Sequence, residues 1–158
     1  MLPRTHTFLG LIFSLAIVYI FNLSLIAGII IFLSSVLIDV DHYLYYVYKK
    51  KDWRLKRAYN FFIVGKNKIA SLSRKQRNEF YHGFSFLHGI ETLVILFILG
   101  KFLSEYFYYI LIGFSFHLFL DIIHQKTIHD RFDKYSIIYD YFKYKKLGVL
   151  EEMKGYLA

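Results

Sequence analysis

Residues 8–38 run FLGLIFSLAIVYIFNLSLIAGIIIFLSSVLI, 31 positions without a charged side chain. Such a run cannot lie on a water-facing surface; it needs a packed interior or a bilayer. As one helix it would be about 46 Å long, beyond a hydrocarbon core of about 30 Å. The run therefore reads as two helices, roughly 5–21 and 24–47, meeting at Asn22-Leu23-Ser24. Asn22 turns the chain there and Ser24 caps the second helix. One strongly tilted helix is the alternative.

Two further apolar stretches follow, over 84–100 and 102–123, the second with Glu105 as its one early charge. The expected fold is an all-α integral membrane helical bundle of about four transmembrane helices within residues 1–125. A basic segment, 49–81, is inserted as an amphipathic, partly helical extramembrane piece or a solvated loop. A polar tail, 126–158, completes the chain, with helical stretches plausible within it. Hydrophobic residues make up 56% of the chain, above the roughly 45–50% of soluble domains. That excludes low-hydropathy disorder. The absence of cysteine excludes a disulfide scaffold, a thiolate zinc site and a cysteine nucleophile. No small-residue cleavage site follows the first apolar run, so no cleavable signal peptide is expected.

The formal net charge is +8. In an up-down-up-down bundle, the N-terminus, the 49–81 block and the tail share one side. That side carries 19 of the 20 Lys and Arg residues, leaving Lys101 on the other. The positive-inside rule makes the basic side cytoplasmic and the protein a multi-pass cell-membrane protein.

The ionisable residues inside or at the ends of apolar runs are functional candidates, because a membrane makes them costly. They are His6 in the first helix, Asp39, Asp41 and His42 closing the second, and His82 ahead of the third. His88 and Glu91 begin the third; His117, Asp121 and His124 lie near the end of the fourth. His117, Asp121 and His124 are spaced i, i+4, i+7, and His88 and Glu91 i, i+3, so each set projects from one helical face. The alternating topology brings all these groups to one end of the bundle. Imidazole and carboxylate without sulfur are the donor set of a zinc, manganese or iron site, and bundles build such sites from inward side chains on facing helices. The candidate ligands are His6, Asp39, Asp41, His42, His88, His117, Asp121 and His124. Taken singly, each has a plainer reading. His6 is then an interfacial residue, Asp39 or Asp41 a turn residue, and His117–Asp121 a buried hydrogen bond. His129 and Asp130 read as solvated, and Tyr43, Tyr45, Tyr46 and Tyr48 as an interfacial aromatic belt.

A histidine near the N-terminus, then Asp39-Val-Asp41-His42, a histidine at the third helix, and His117-Leu-Phe-Leu-Asp121 occur in that order. The arrangement resembles the YdjM-like family of membrane-bound metal-dependent hydrolases, itself similar to the zinc-dependent phospholipase C superfamily. The resemblance covers residues 1–125. It implies ligand roles for His6, Asp39 or Asp41, His88, His117 and Asp121, with Asp121 as a bridging carboxylate. Where the family carries His-Arg-Gly-x-Thr-His-Ser, this chain has His82-Gly-Phe-Ser-Phe-Leu-His88-Gly-Ile-Glu91.

The expected function is a metal-dependent hydrolase of a phosphoester or lipid headgroup, using one or two divalent ions, zinc first. Glu91 or a spare aspartate, Asp41, would accept the proton. Lys49, Lys50, Lys51, Arg54 and Arg57 would attract an anionic headgroup, or serve as topogenic charge alone. The expected partners are membrane lipids and a phosphoester substrate; no nucleic-acid reader motif is present. A non-catalytic metal-binding membrane protein and a metal or proton transporter are the alternatives. A transporter wants ionisable groups near the bilayer midplane, and the middles of the first three helices carry none.

Overall fold

The computed structural model describes residues 3–81, 83–129 and 135–149. His82 and Asp130, and with them the His129 side chain, lie outside the described residues.

Helix α1 covers Pro3–Phe21. It ends where Asn22 adopts a left-handed φ of 50° and the Leu23 amide donates to the Val18 carbonyl at 3.1 Å. A left-handed residue with a six-to-one hydrogen bond satisfies carbonyls that a helix end would leave orphaned. The Ser24 hydroxyl then accepts from the Ala27 amide at 3.2 Å, capping α2, Leu25–Leu37. The long apolar run is thus two helices with the turn at Asn22.

The second helix does not continue unbroken to 47. It stops at Leu37, and α3 covers Val40–Lys50. Between them the amides of Asp41 and His42 donate to the carbonyls of Ile38 and Asp39, at 3.4 and 3.1 Å. These three-residue bonds tighten the backbone where α2 hands over to α3, at the aspartates. The 49–81 block forms α4, Leu55–Ser71, and α5, Arg74–Arg77, followed by a two-residue strand β1, Phe80–Tyr81. Helix α4 is amphipathic in fact: Ala58 and Phe61 are buried against Tyr45, Tyr46 and Val47 of α3, while Lys56 and Arg57 are exposed.

The third apolar stretch becomes helical only at Ile90; α6 covers Ile90–Phe102. Its 13 residues reach about 20 Å. Residues 83–89 remain irregular, because their backbone and side chains are used elsewhere, as shown below. Helix α7 covers Tyr106–His124 and passes into a π turn, Gln125–His129. The tail supplies α8, Ile137–Lys146, and β2, Gly148–Val149, which pairs in parallel with β1. The tail therefore docks on the basic block and does not stand apart from it.

The molecule is an all-α bundle. Among the described residues, three helical segments are long and apolar enough to cross a membrane: Pro3–Phe21, Leu25–Lys50 and Tyr106–Thr127. Helix α2 lies between α1 and α7 and packs on both. Small residues let the backbones approach: a Cβ on Gly113 of α7 would collide with Ser34 Oγ and the Ile31 carbonyl of α2, and one on Gly10 of α1 with Ser35 Oγ. Phe13 and Phe116 stack at 3.9 Å between α1 and α7. The outward faces are apolar, with Phe8, Leu15, Val94, Ile95 and Phe119 each more than half exposed, the surface that lipid rather than water would cover.

Candidate metal centre

Three helices, the turn between α2 and α3 and the irregular segment bring most of the predicted residues to one place. Helix α1 contributes His6, whose face continues through buried Gly10 and Ser14. The turn before α3 contributes Asp39, and the first turn of α3 Asp41 and His42. Residues 83–89 present His88, and α7 presents His117 and Asp121. His6, Asp41, His88, His117 and Asp121 are all buried, His88, His117 and Asp41 completely.

Four atoms converge at the centre. His88 Nε2 and His117 Nε2 are 3.3 Å apart. Asp39 Oδ1 lies 3.5 Å from each of them. Asp121 Oδ2 lies 3.9 Å from His88 Nε2 and 3.7 Å from His117 Nε2. The other ring nitrogens are committed elsewhere. His88 Nδ1 donates to Asp41 Oδ2 at 2.9 Å, and His117 Nδ1 donates to the Ser35 carbonyl at 2.8 Å. Both partners are acceptors only, so each neutral ring carries its proton on Nδ1 and turns a bare Nε2 inward. Two imidazole lone pairs and two carboxylate oxygens then face one another with no donor among them. Such an arrangement needs a positive charge at its middle, either a metal cation or a proton held on one ring.

The spacing suits a metal. Tetrahedral ligands about 2.0–2.1 Å from zinc stand about 3.4 Å from one another, and the five separations that involve His88 or His117 run from 3.3 to 3.9 Å. Among the described residues the convergent groups are triads, Asp39 with His88 and His117, His6 with His117 and Asp121, and Asp41 with His42 and His88. The donor set of two nitrogens and two oxygens fits zinc, manganese or iron.

The surrounding residues hold these four in place, as ligand-orienting partners do in metal proteins. Asp41 takes His88 Nδ1 and also the Leu87 amide, at 3.0 Å. This double demand is one reason the chain near 87 is not helical. His6 Nε2 lies 3.2 Å from Asp121 Oδ1, and its ring stacks on His117 at 3.9 Å. His6 Nδ1 is buried without a hydrogen-bond partner among the described residues. His42 lies against His88, ring on ring at 4.9 Å. Its Nδ1 is 3.0 Å from both Ser85 Oγ and Asp41 Oδ1, and its Nε2 3.7 Å from Asp39 Oδ1. The Asp39 and His42 side chains are 26% and 21% exposed, against 5% or less for the rest, so the centre is reached from their side.

Two expected residues stand outside this set. His124, a turn beyond Asp121 on α7, joins none of the convergent ligand groups found among the described residues. Glu91 is engaged with the tail. Its oxygens accept from the Ser136 hydroxyl at 2.5 Å and from the amides of Ile137 and Ile138 at 2.8 and 3.3 Å. It therefore closes the N-terminus of α8, which corrects its expected place as the proton acceptor beside the metal. Burial works to raise its pKa, but these hydrogen bonds prevail and hold the carboxyl below its ordinary range. Ser35 and Ser85 were absent from the candidate set. One acts through a main-chain carbonyl and the other is an unremarkable serine in sequence, so neither leaves a signal.

The basic residues near α3 are also partly committed. Asp52 accepts from Arg54 Nε at 3.0 Å and from Arg57 Nη1 at 3.2 Å. The Arg54 side chain leads in pushing the Asp52 pKa down to about 2.

No family model, curated protein or solved structure matches the chain.

Proposed function

We propose that the chain is a membrane-embedded metal-dependent hydrolase of the YdjM-like kind. It holds a divalent cation, zinc first, at Asp39, His88, His117 and Asp121, and acts on a phosphoester at the cytoplasmic membrane interface. The observation that carries the reading is the convergence of four acceptor atoms with no donor among them. A cation bound there supplies Lewis acidity towards a phosphoryl oxygen and lowers the pKa of a water towards about 7. The chain's own residues supply the rest. Asp41 and the Ser35 carbonyl keep His88 and His117 in the tautomer that binds metal. His6 steadies Asp121. His42, partly exposed and with its Nδ1 3.0 Å from Asp41 Oδ1, takes the proton. The excess of basic residues in 49–81 and the tail orients this end towards the cytoplasm.

A second reading has its own support. A cation held by all four protein donors would have the closed coordination of structural zinc sites, whereas catalytic sites keep a position for water. Metal analysis of the membrane-purified protein beside a His117→Ala, Asp121→Ala double variant tests both. The wild type is expected to retain about one equivalent of zinc by the four-donor count, and the variant none. Equal metal in the two, or none in either, overturns the metal reading and leaves a shared proton. Retained zinc without chelator-sensitive turnover of bis-p-nitrophenyl phosphate or a phospholipid decides for the structural site.

A further inference from the structure

Helix α8 presents an outward face that water does not suit. Ile138, Phe142 and Lys145 follow at i, i+4 and i+7 and share one side. The first two are 62% and 67% exposed, and Lys145 and Lys146 are exposed beside them. The opposite side, Ile137, Asp140 and Tyr144 at i, i+3 and i+7, is turned to the protein. A Cβ on Gly89 would collide with Ile137, and Asp140 is buried. The Tyr144 hydroxyl lies 3.2 Å from that of Tyr45, and its ring packs edge-on against Tyr81. A helix resting on a protein in water turns its large apolar side chains inward and its acids outward. Here the one acid of the helix is inside, and Ile138 and Phe142 are outside.

Two attachments set the level of this face. The Ile90 amide donates to the Tyr135 carbonyl, so α8 is tied to the start of α6. From Ile90 an apolar stripe runs along α6 through Val94, Phe97 and Ile98, each about half exposed, as a lipid-facing side would be. Towards its other end, α8 meets Tyr45 through Tyr144. Tyr45 stands about 7.5 Å before the end of Leu25–Lys50, a segment long and apolar enough to cross a membrane. Both attachments therefore lie where apolar segments end, the level of lipid headgroups. The charge agrees. Lys143, Lys145 and Lys146 close the helix, and its outward face has no acid. Lysine stems let the ammonium groups reach phosphates while the apolar side chains stay deeper, and tyrosines such as Tyr139 and Tyr141 suit that boundary.

We infer that α8 is an interfacial helix whose outward face docks on an anionic lipid surface, with Ile138 and Phe142 at the edge of the hydrocarbon and Lys145 and Lys146 among the phosphates. The partner is the bilayer surface, not a substrate, and the inference stands apart from the metal centre. The tail is then part of the membrane-bound body and not a solvated appendage.

The chain has no cysteine, so a single introduced one carries a unique nitroxide spin label. Ile138→Cys and Phe142→Cys, each in the full-length protein, are reconstituted in vesicles of phosphatidylcholine and phosphatidylglycerol. Asn78→Cys, at the exposed end of α5, is the reference. All three side chains point outward, so the fold is expected to be kept, as read by circular dichroism. Labels at 138 and 142 are expected to collide with oxygen and to lose collisions with a water-soluble nickel chelate that reaches the label at 78. Nickel collisions at 138 and 142 equal to those at 78 overturn the inference, because the face then lies in water. Loss of both collision partners overturns it too, because a second copy of the chain or residues 150–158 then cover the face. Lys145→Gln with Lys146→Gln, or vesicles of phosphatidylcholine alone, is expected to return the label at 142 towards water. The ratio of immersed to aqueous label should fall about fivefold for each lysine, equivalent to about 1 kcal/mol. A ratio that neither change moves overturns the anionic surface as the partner.

Discussion

Asp41 shows how a residue can serve the candidate metal centre by orienting a donor in it. It is fully buried and gives its oxygens to His88 Nδ1, the Leu87 amide and the neighbourhood of His42 Nδ1. Its neighbour Asp39, two residues earlier, turns an oxygen into the middle of the cluster. The division follows from the backbone: the three-residue turn at Ile38–Asp39 aims one carboxylate across the bundle, and the helix that follows aims the next along the 83–89 segment. Asp41→Asn keeps the shape but presents an amide that no longer selects the Nδ1 tautomer of His88. Metal affinity is expected to fall about 10–100-fold with helical content unchanged, as read by chelator competition and circular dichroism. An unchanged affinity would remove Asp41 from the support of the centre.

At the scale of elements, a carboxylate distant in the chain helps to close the N-terminus of α8. Glu91 lies 45 residues from Ser136 in the chain, yet it accepts the Ser136 hydroxyl and two amides of the first turn of α8. It stands where a negative charge complements the helix N-terminus. The Ile90 amide also donates to the Tyr135 carbonyl at 2.9 Å, so α6 and the tail begin together. Because the folded pKa of Glu91 lies below the ordinary 4.5, the unfolded chain binds this proton first in acid. The stabilisation is therefore complete above the ordinary value and is lost as the pH falls through the depressed one. Glu91→Gln is expected to cost about 1 kcal/mol near neutrality, the scale of a lost helix cap. The gap in melting temperature between wild type and variant should close as the pH is lowered below the ordinary carboxyl range. Zinc content is expected to stay unchanged; its loss would return Glu91 to the centre.

At the scale of the molecule, the centre depends on how closely three helices approach. Gly113 lets α7 lie against Ser34 and Ile31 of α2, and Ser35, the next residue of α2, holds His117. His117 and Asp121 are one and two turns further along α7 from Gly113. A side chain at Gly113 must push the helices apart and carry both ligands away from Asp39. Gly113→Leu is expected to destabilise the bundle by about 1–3 kcal/mol and to lower metal retention although no ligand is altered. His117→Ala should lose the metal with much less effect on the melt. Zinc retained in Gly113→Leu would mean that the centre does not depend on this packing.

Much of this was written in the chain. The uncharged run with Asn22 and Ser24 at its middle determined two helices and their turn, because residue chemistry at that turn is local. The spacing of His117 and Asp121, and the placing of every histidine group at one end by alternating helices, determined where the cluster would form. Tertiary structure alone decided which donors meet. Asp39 rather than Asp41 points inward because the helix breaks at Ile38–Asp39 and resumes at Val40, and that break is made by two hydrogen bonds with no composition signature. Glu91 faces α8 rather than the cluster because the tail folds back across a loop, and a pairing over so many residues leaves no periodicity to read. Ser35 contributes only a carbonyl, which every residue possesses, so its role arises from position alone.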